Sequence, residues 1–142
     1  MNIHEEKMDL LKVPQGFYLA HCISADFALG AGVALQIDKA FNMRNKLKMH
    51  WSMPNQFKWP CCLPVGSVFN LVTKEKYWHK PTLNALEMAL RDMHAYAMNM
   101  LVTKIAMPRI GCGLDRLNWK DVKPMIEEIF QDTDIEIMIC VL

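Results

Sequence analysis

Two glycine-containing segments of this sequence have the composition of loops that bind phosphate through backbone amides. Residues 30–32 read Gly-Ala-Gly between a predicted strand and a predicted helix, where glycine allows close approach of a ligand and a helix N-terminus attracts anions. A single loop of this kind is more often an ordinary turn. Residues 108–116 repeat the arrangement with Gly111 and Gly113. Two such loops at one sheet edge predict a diphosphate held by amides.

Charged side chains lie close to these loops in the sequence. Asp115 brings a carboxylate to the rim of the second loop, although a weak surface pair with Arg116 is the plainer interpretation. Lys74 directly follows an apolar run that predicts a strand, and a lysine in this position is usually solvated. Chemistry at Lys74 requires a neutral amine, which nearby cations such as Lys76 and Lys80, or burial under a ligand, would favour.

Residues 39–59 form the one locally basic part of the sequence. This segment has no acidic residue and mixes cations with aromatic rings: Lys39, Arg44, Lys46, Lys48, Lys58, Trp51, Phe57 and Trp59. Such a mixture is typical of contacts to nucleic acid, although a solvated loop with inward-facing rings has the same composition. A protein that only binds nucleic acid through this segment, with a steep salt dependence, is therefore one hypothesis.

Length and composition favour a single globular domain over residues 1–142. The hydrophobic content of 52% is enough for a core, and the net charge of +1 excludes overall attraction to nucleic acid or membranes. The charged N-terminal residues do not indicate secretion, and we find no apolar stretch long enough to span a bilayer. Its five cysteines lack the spacing of a metal site. We expect a monomeric cytoplasmic protein, or a nuclear one in a eukaryote, with no metal and no membrane contact.

Strands and helices alternate along the sequence. Apolar runs predict strands at residues 17–23, at 65–73, within 101–107 and at 135–142, and His21 within the first run is predicted to be a core histidine. Apolar periodicity predicts helices at residues 33–41, from Pro81 as the first helical position through Ala97, and at 119–130, where Pro124 is expected to delay or kink the first turn. The alternation predicts a largely parallel, helix-covered sheet with ligands at the carboxyl ends of its strands.

The same residues resemble the macrodomain family, in the branch of the terminal ADP-ribose protein glycohydrolases. The resemblance starts near Asp9, and the runs that carry it are residues 21–24, 30–32, 71–74, 79–82, 107–117, 119, 125–128 and 132–135. It implies a three-layer α/β/α macrodomain with a mixed, largely parallel central sheet. ADP-ribose would lie across the sheet edge, and the resemblance implies no cofactor.

The resemblance also implies the residues that bind ADP-ribose. Asp9 would accept a hydrogen bond from the adenine amino group, and Leu142 would pack near the base. The other expected binding residues are Leu10, Ser24, Gly30, Ala31, Gly32, Thr73, Pro108, Arg109, Ile110, Gly111, Cys112, Gly113 and Leu114. Met8 stands where many macrodomains have glycine, and residues 43–64 follow no motif of the family, so the sequence leaves the acceptor open.

Catalysis in this branch is described as using a lysine and an aspartate, which correspond here to Lys74 and Asp115. The lysine would attack the anomeric carbon of the distal ribose, and the aspartate would assist resolution of the lysyl adduct. The acceptor could be a protein Glu or Asp ester, O-acetyl-ADP-ribose, or a DNA base, the last contacted by residues 39–59. The alternative is a non-catalytic ADP-ribose reader, whose binding would survive the loss of both Lys74 and Asp115.

Overall fold

The described part of the chain forms a six-stranded sheet. A computed structural model of the protein describes residues 1–52 and 56–142. Its strands are β1 (Asn2–Lys7), β2 (Tyr18–Ser24), β3 (Cys61–Val65), β4 (Val68–Lys74), β5 (Lys104–Met107) and β6 (Glu136–Val141). They lie in the order β1-β6-β5-β2-β4-β3, and each neighbouring pair is parallel except β3 with β4. The predicted mixed, largely parallel sheet is therefore confirmed.

Helices connect most of these strands. They are α1 (Gly32–Phe41), α2 (Met43–His50), α3 (Leu83–Asn99) and α4 (Trp119–Phe130), with a short 3-10 helix at Leu10–Lys12. α3 begins where the Thr82 hydroxyl accepts a hydrogen bond from the Ala85 N–H at 3.0 Å, a typical N-cap. Among the described residues, none of the helices is long and apolar enough to cross a bilayer.

Alternate side chains of each strand pack on opposite faces of the sheet. On one face, Phe69 and Leu71 of β4 lie in a buried cluster with residues of α3 and α4, including Leu86 and Ile126. On the other face, Val68 and Val72 of β4 lie in a cluster with residues of α1 and α2: Ile37, Met43 and Leu47. The two clusters sandwich the sheet between helices, which confirms the three-layer α/β/α architecture.

Several predicted boundaries are wrong. Residues 65–73 were expected to form one strand, but Val65 ends β3 and a turn at Gly66 separates it from β4. Pro81 precedes the cap of α3 and is not its first helical residue. Pro124 lies inside α4, which already begins at Trp119, so the first turn is not delayed. β1 and α2 were not predicted, because their sequences are mostly polar and their positions depend on packing.

Two polar contacts support the sheet. His21 is buried in β2, and its Nε2 lies 2.6 Å from Oδ1 of Asn70 on β4, so the predicted core position of His21 is confirmed. β3 lies at one edge of the sheet, where the Cys62 N–H donates to the Asp92 carboxylate of α3 at 2.7 Å.

Candidate functional site

A cleft of about 520 Å³ opens at the carboxyl ends of β2, β4 and β5. Parallel strands direct the loops that follow them to this edge, where α/β sheets bind ligands. The loops of residues 28–34 and 108–115 lie on its walls, so the predicted meeting of the two glycine loops in one cleft is confirmed. The predicted site residues on its walls are Ser24, Gly30, Ala31, Gly32, Lys74, Pro108, Arg109, Ile110, Gly111, Gly113, Leu114 and Asp115.

Lys74 and Asp115 form an ion pair in this cleft. The Lys74 Nζ donates a hydrogen bond to the Asp115 Oδ1 at 2.7 Å. Their side chains are only 14% and 13% exposed, so the pair lies within the wall and not on the open surface. Lys74 is the last residue of β4, and the backbone carbonyl of Lys74 accepts the Ala25 N–H at 2.9 Å. The amine is therefore held by a central strand, and the carboxylate by a loop.

The first glycine loop has a backbone that few residue types tolerate. Gly32 opens α1 with φ at +58°, and Phe27 and Leu29 before it also adopt positive φ values, which cost free energy for residues with a side chain. A Cβ atom on Gly32 would lie 3.2 Å from Leu114 of the second loop. The two loops thus approach each other across the cleft, which suits a ligand clasped from two sides.

The second glycine loop is held closed at its base. Gly111 has φ at +74°, and a Cβ atom there would lie 2.9 Å from the Leu117 side chain and 3.2 Å from that of Leu86. The Leu117 N–H donates to the carbonyl of Gly111 at 2.6 Å, which closes the turn. The Lys80 ammonium also donates to the carbonyl of Leu114 at 2.6 Å. These contacts fix the loop beside Asp115.

Asp26 braces the first loop against the segment after β4. Its carboxylate accepts hydrogen bonds from the Ser24 hydroxyl at 2.5 Å, the Ala28 N–H at 3.2 Å and the Tyr77 N–H at 3.1 Å. Burial raises the pKa of Asp26, but these hydrogen bonds outweigh burial and lower the pKa below its ordinary value. Asp26 was not predicted as a site residue, yet it connects the first loop to the segment after β4, and residues of both border the cleft.

Arg109 lines the cleft, but its charge is already paired. Its guanidinium donates two hydrogen bonds to the Glu5 carboxylate of β1 at 3.0 and 3.1 Å, and it lies 5.8 Å from the centre of the Trp119 ring. The guanidinium is therefore held toward β1. An anion bound at this part of the wall would therefore contact backbone amides.

Five of the predicted binding residues do not lie on the cleft wall. They are Asp9, Leu10, Thr73, Cys112 and Leu142. One Asp9 carboxylate oxygen caps the 3-10 helix by accepting the Leu11 N–H at 2.9 Å, and Leu142 is 90% exposed at the chain end. Asp9 and Leu142, which were predicted to contact adenine, come after β1 and β6 and therefore lie along the sheet edge, outside the cleft. Leu10 and Thr73 are buried, and the Cys112 thiol donates to the Ile110 carbonyl.

The cleft also contains residues that the sequence did not single out as binding residues, including His21, Cys22, Tyr77 and Lys80. Burial lowers the pKa of His21 to about 4, so its imidazole is neutral near pH 7, and its Nδ1 has no partner within the described residues. Burial raises the pKa of Cys22 to about 12, which keeps the thiol protonated and a poor nucleophile. Lys74 is therefore the better candidate nucleophile. Lys80 lies in the run of residues 79–82 that carries the family resemblance, whereas the only sequence signal for Tyr77 was its position shortly after a strand.

Within residues 1–52 and 56–142, histidine, cysteine, aspartate and glutamate side chains form no group of three or more that could bind a metal ion. The described cleft brings together the Lys74 amine, the Asp115 carboxylate and the backbone of two glycine loops.

Comparison with known proteins identifies the family. The chain is 40% identical over 141 residues to the human protein named ADP-ribose glycohydrolase OARD1, covering 96% of this chain and 89% of the relative. It is 28% identical over 122 residues to the Thermus aquaticus protein named DNA ADP-ribosyl glycohydrolase, of which it covers 34%. The solved macrodomain of Thermus aquaticus DarG superposes with a TM-score of 0.85 at 23% identity, covering 99% of this chain and 98% of the other. No model of a protein family matches the sequence. With this identity and coverage to its human relative, the chain belongs to the macrodomain family, in the branch of the terminal ADP-ribose protein glycohydrolases.

Proposed function

We propose that this protein hydrolyses the bond between ADP-ribose and an acceptor, with Lys74 as the nucleophile and Asp115 as its proton-transfer partner. The observation that carries the proposal is the 2.7 Å contact of the Lys74 Nζ with the Asp115 Oδ1 in the wall of a glycine-lined cleft. The names of the human and Thermus aquaticus relatives, both glycohydrolases of ADP-ribose linkages, support removal of ADP-ribose.

In the proposed complex the diphosphate lies between the two glycine loops. The N-terminus of α1 at Gly32 and the turn at Gly111 offer backbone N–H groups, which bind phosphate without a cationic side chain. The distal ribose then reaches the Lys74–Asp115 pair, which lies between the ends of the same two loops. This arrangement would expose the anomeric carbon to the amine.

The reaction proceeds by two displacements. Transfer of a proton from the Lys74 ammonium to the Asp115 carboxylate leaves a neutral amine. The Nζ lone pair forms a bond to the anomeric carbon as the bond from that carbon to the acceptor oxygen breaks, and the acceptor leaves as a carboxylate. The adduct nitrogen then loses a proton to solvent. The ribose ring opens as its oxygen takes the proton from the Asp115 carboxyl, which converts the adduct into a protonated imine and restores the Asp115 carboxylate. Water, deprotonated by the Asp115 carboxylate, adds to the same carbon, and cleavage of the carbon–nitrogen bond releases ADP-ribose and the lysine amine.

A non-catalytic reader is the competing function. A reader would bind ADP-ribose as well as the hydrolase but would not need a paired amine and carboxylate. The enclosure of that pair, with both side chains less than 15% exposed, favours the hydrolase. A buried ion pair removes two charges from water at a cost that a simple binding cleft would avoid.

Variants of the pair that preserve its shape test the proposal. Lys74→Arg keeps the charge and the contact with Asp115 but removes the nucleophile, so release of ADP-ribose from a glutamate-linked peptide should fall to background. Asp115→Asn should slow release by roughly 10²- to 10⁴-fold. Calorimetric titration should show that both variants still bind ADP-ribose. Lys120→Arg on the exposed surface of α4 is the matched control.

Trapping of the adduct tests the mechanism directly. Borohydride added during turnover should reduce the imine and leave ADP-ribose on a peptide containing Lys74, as detected by mass spectrometry. Full activity in Lys74→Arg would refute the nucleophile. If the parent protein binds ADP-ribose but releases none from any acceptor, the reader is the correct function.

A further inference from the structure

Lys80 lines the candidate active site, and its side chain has hydrogen-bond donors to spare. It is exposed to solvent at the rim of the cleft. Its Nζ donates to the Leu114 carbonyl at 2.6 Å, and it forms no ion pair within residues 1–52 and 56–142. An ammonium group carries three N–H donors, so the others remain available to a ligand. The reaction proposed above does not use this side chain.

The backbone of Lys80 is held on both sides. Before it, the Tyr77 N–H donates to the Asp26 carboxylate at 3.1 Å. After it, Pro81 is buried and Thr82 caps α3, and a proline restricts both its own backbone and that of the residue before it. The Lys80 ammonium can therefore move on its flexible stem while its main chain stays at the rim of the cleft.

Lys74 and Lys80 reach neighbouring residues of the second glycine loop. The Leu114 carbonyl that accepts from Lys80 belongs to the peptide bond leading into Asp115, whose Oδ1 accepts from the Lys74 Nζ at 2.7 Å. The Lys74 side chain is enclosed, with 14% exposed, whereas Lys80 is open to solvent. An acceptor attached to the distal ribose must extend out of the cleft, so it passes the rim where the Lys80 ammonium lies.

The first displacement creates a negative charge that needs a partner. Transfer of a proton from Lys74 to Asp115 removes both charges of the ion pair. As the Nζ bonds to the anomeric carbon, the bond from that carbon to the acceptor oxygen breaks, and its electron pair stays on the oxygen. The nucleophile and the leaving group lie on opposite sides of the carbon, so Lys74 cannot donate to the leaving oxygen. A donor placed where this charge develops would lower the barrier.

Lys80 is the cation that is free to supply this donor. The lysine and arginine side chains on the described wall of the cleft are Lys74, Lys80 and Arg109. Lys74 is the proposed nucleophile. Arg109 donates two hydrogen bonds to the Glu5 carboxylate at 3.0 and 3.1 Å, which hold it toward β1. Lys80 donates only to a neutral carbonyl oxygen, an interaction that a carboxylate can share or replace.

We propose that Lys80 is a catalytic residue that donates a hydrogen bond to the acceptor oxygen as that oxygen leaves the anomeric carbon. No proton is transferred, and the acceptor departs as a carboxylate bound to the Lys80 ammonium. The contact with the Leu114 carbonyl keeps the ammonium beside the reaction centre between turnovers. This role rests on the hydrolase function proposed above and adds a residue to its mechanism.

Two esters that differ in the basicity of the leaving oxygen test this role. They are anomeric esters of ADP-ribose with para-methoxybenzoate and with para-nitrobenzoate, which are similar in size. Lys80→Met should lower kcat/KM for the methoxybenzoate by roughly 10- to 150-fold, the effect of losing a hydrogen bond to a charged group. The loss for the nitrobenzoate should be at least about 3-fold smaller, because a less basic oxygen needs less stabilisation.

A Lys80 that only tethers the second loop gives a different result. Loss of a tether would misplace the loop for every substrate, so both esters would lose the same factor. Lys80→Arg keeps the charge and the donors and should retain most of the activity. Lys120→Met, which removes an exposed cation from α4, should leave both esters at the parent rate. Thermal unfolding of each variant checks that the fold is intact.

The possible outcomes separate this role from the hydrolase itself. Equal losses on the two esters, or no loss on either, would overturn the role of Lys80 and leave the hydrolase standing. A dependence on the leaving group in Tyr77→Phe, in place of Lys80→Met, would assign the donor to the Tyr77 hydroxyl instead. A parent protein that binds ADP-ribose but cleaves neither ester would refute the hydrolase, and the role of Lys80 with it.

Discussion

Replacement of Gly111 by alanine tests whether backbone geometry, and not side-chain chemistry, forms the ligand cradle. The positive φ of +74° at this residue costs about 1–2 kcal/mol for a residue with a Cβ atom. That Cβ would lie 2.9 Å from Leu117 and 3.2 Å from Leu86, and crowding in a packed region costs about 1–3 kcal/mol. From the two effects together we expect the free energy of unfolding to fall by about 2–5 kcal/mol, a large part of the usual 5–15 kcal/mol.

Urea unfolding followed by circular dichroism measures this loss, and titration with ADP-ribose measures its effect on the cleft. Gly113→Ala is the matched control, because Gly113 lies in the same loop with no atom within 4 Å of its added Cβ and no positive φ. It should change stability by less than about 0.5 kcal/mol. Equal stability and affinity of the two variants would refute the reasoning from backbone geometry.

Two further predictions concern pH and the tether of the second loop. Burial lowers the pKa of His21 to about 4 from the ordinary histidine value of 6.5, so the unfolded chain binds more protons between these pH values. The free energy of unfolding should therefore fall by up to about 3 kcal/mol as the pH drops from 6.5 to 4. His21→Gln should flatten this slope in urea melts, and an unchanged slope would contradict the assignment. His4→Gln should not flatten it, because the hydrogen bond that His4 donates to the Glu136 carboxylate raises the pKa of His4. Lys80→Ala removes the 2.6 Å hydrogen bond to the loop carbonyl and should raise the dissociation rate of ADP-ribose in stopped-flow measurements by roughly 2- to 10-fold; the rate of Lys120→Ala should stay at that of the parent.

The sequence predicted the elements that carry a strong apolar pattern. The repeat that includes Leu86 and Leu90 identified α3, and the apolar run around Ile137 identified β6. β1 escaped prediction because its sequence, Asn-Ile-His-Glu-Glu-Lys, is mostly polar, and it forms a strand because it pairs with β6. β3 escaped because Pro64 interrupts a short run, which is tolerated at the edge of a sheet.

The candidate site was predictable where it depends on strand ends, and not where it depends on turns. Each glycine loop follows a strand and Lys74 ends one, so their meeting at one edge follows from the parallel topology. Tyr77 and Lys80 reach the cleft through the path of residues 75–80, which no periodicity describes. The pairing of Arg109 with Glu5 depends on the position of β1, which was itself missed.

The hydrogen bond between the Asp92 carboxylate and the edge strand β3 affects how molecules of this protein can associate with one another. Strands at the border of a sheet can recruit extended segments from neighbouring chains. Here the Cys62 N–H that such a segment would need is already bound by Asp92 at 2.7 Å, and an incoming carbonyl oxygen would face a negative charge. We therefore expect this border to resist the stacking of copies into fibres, and neutralising Asp92 to make concentrated solutions prone to self-association.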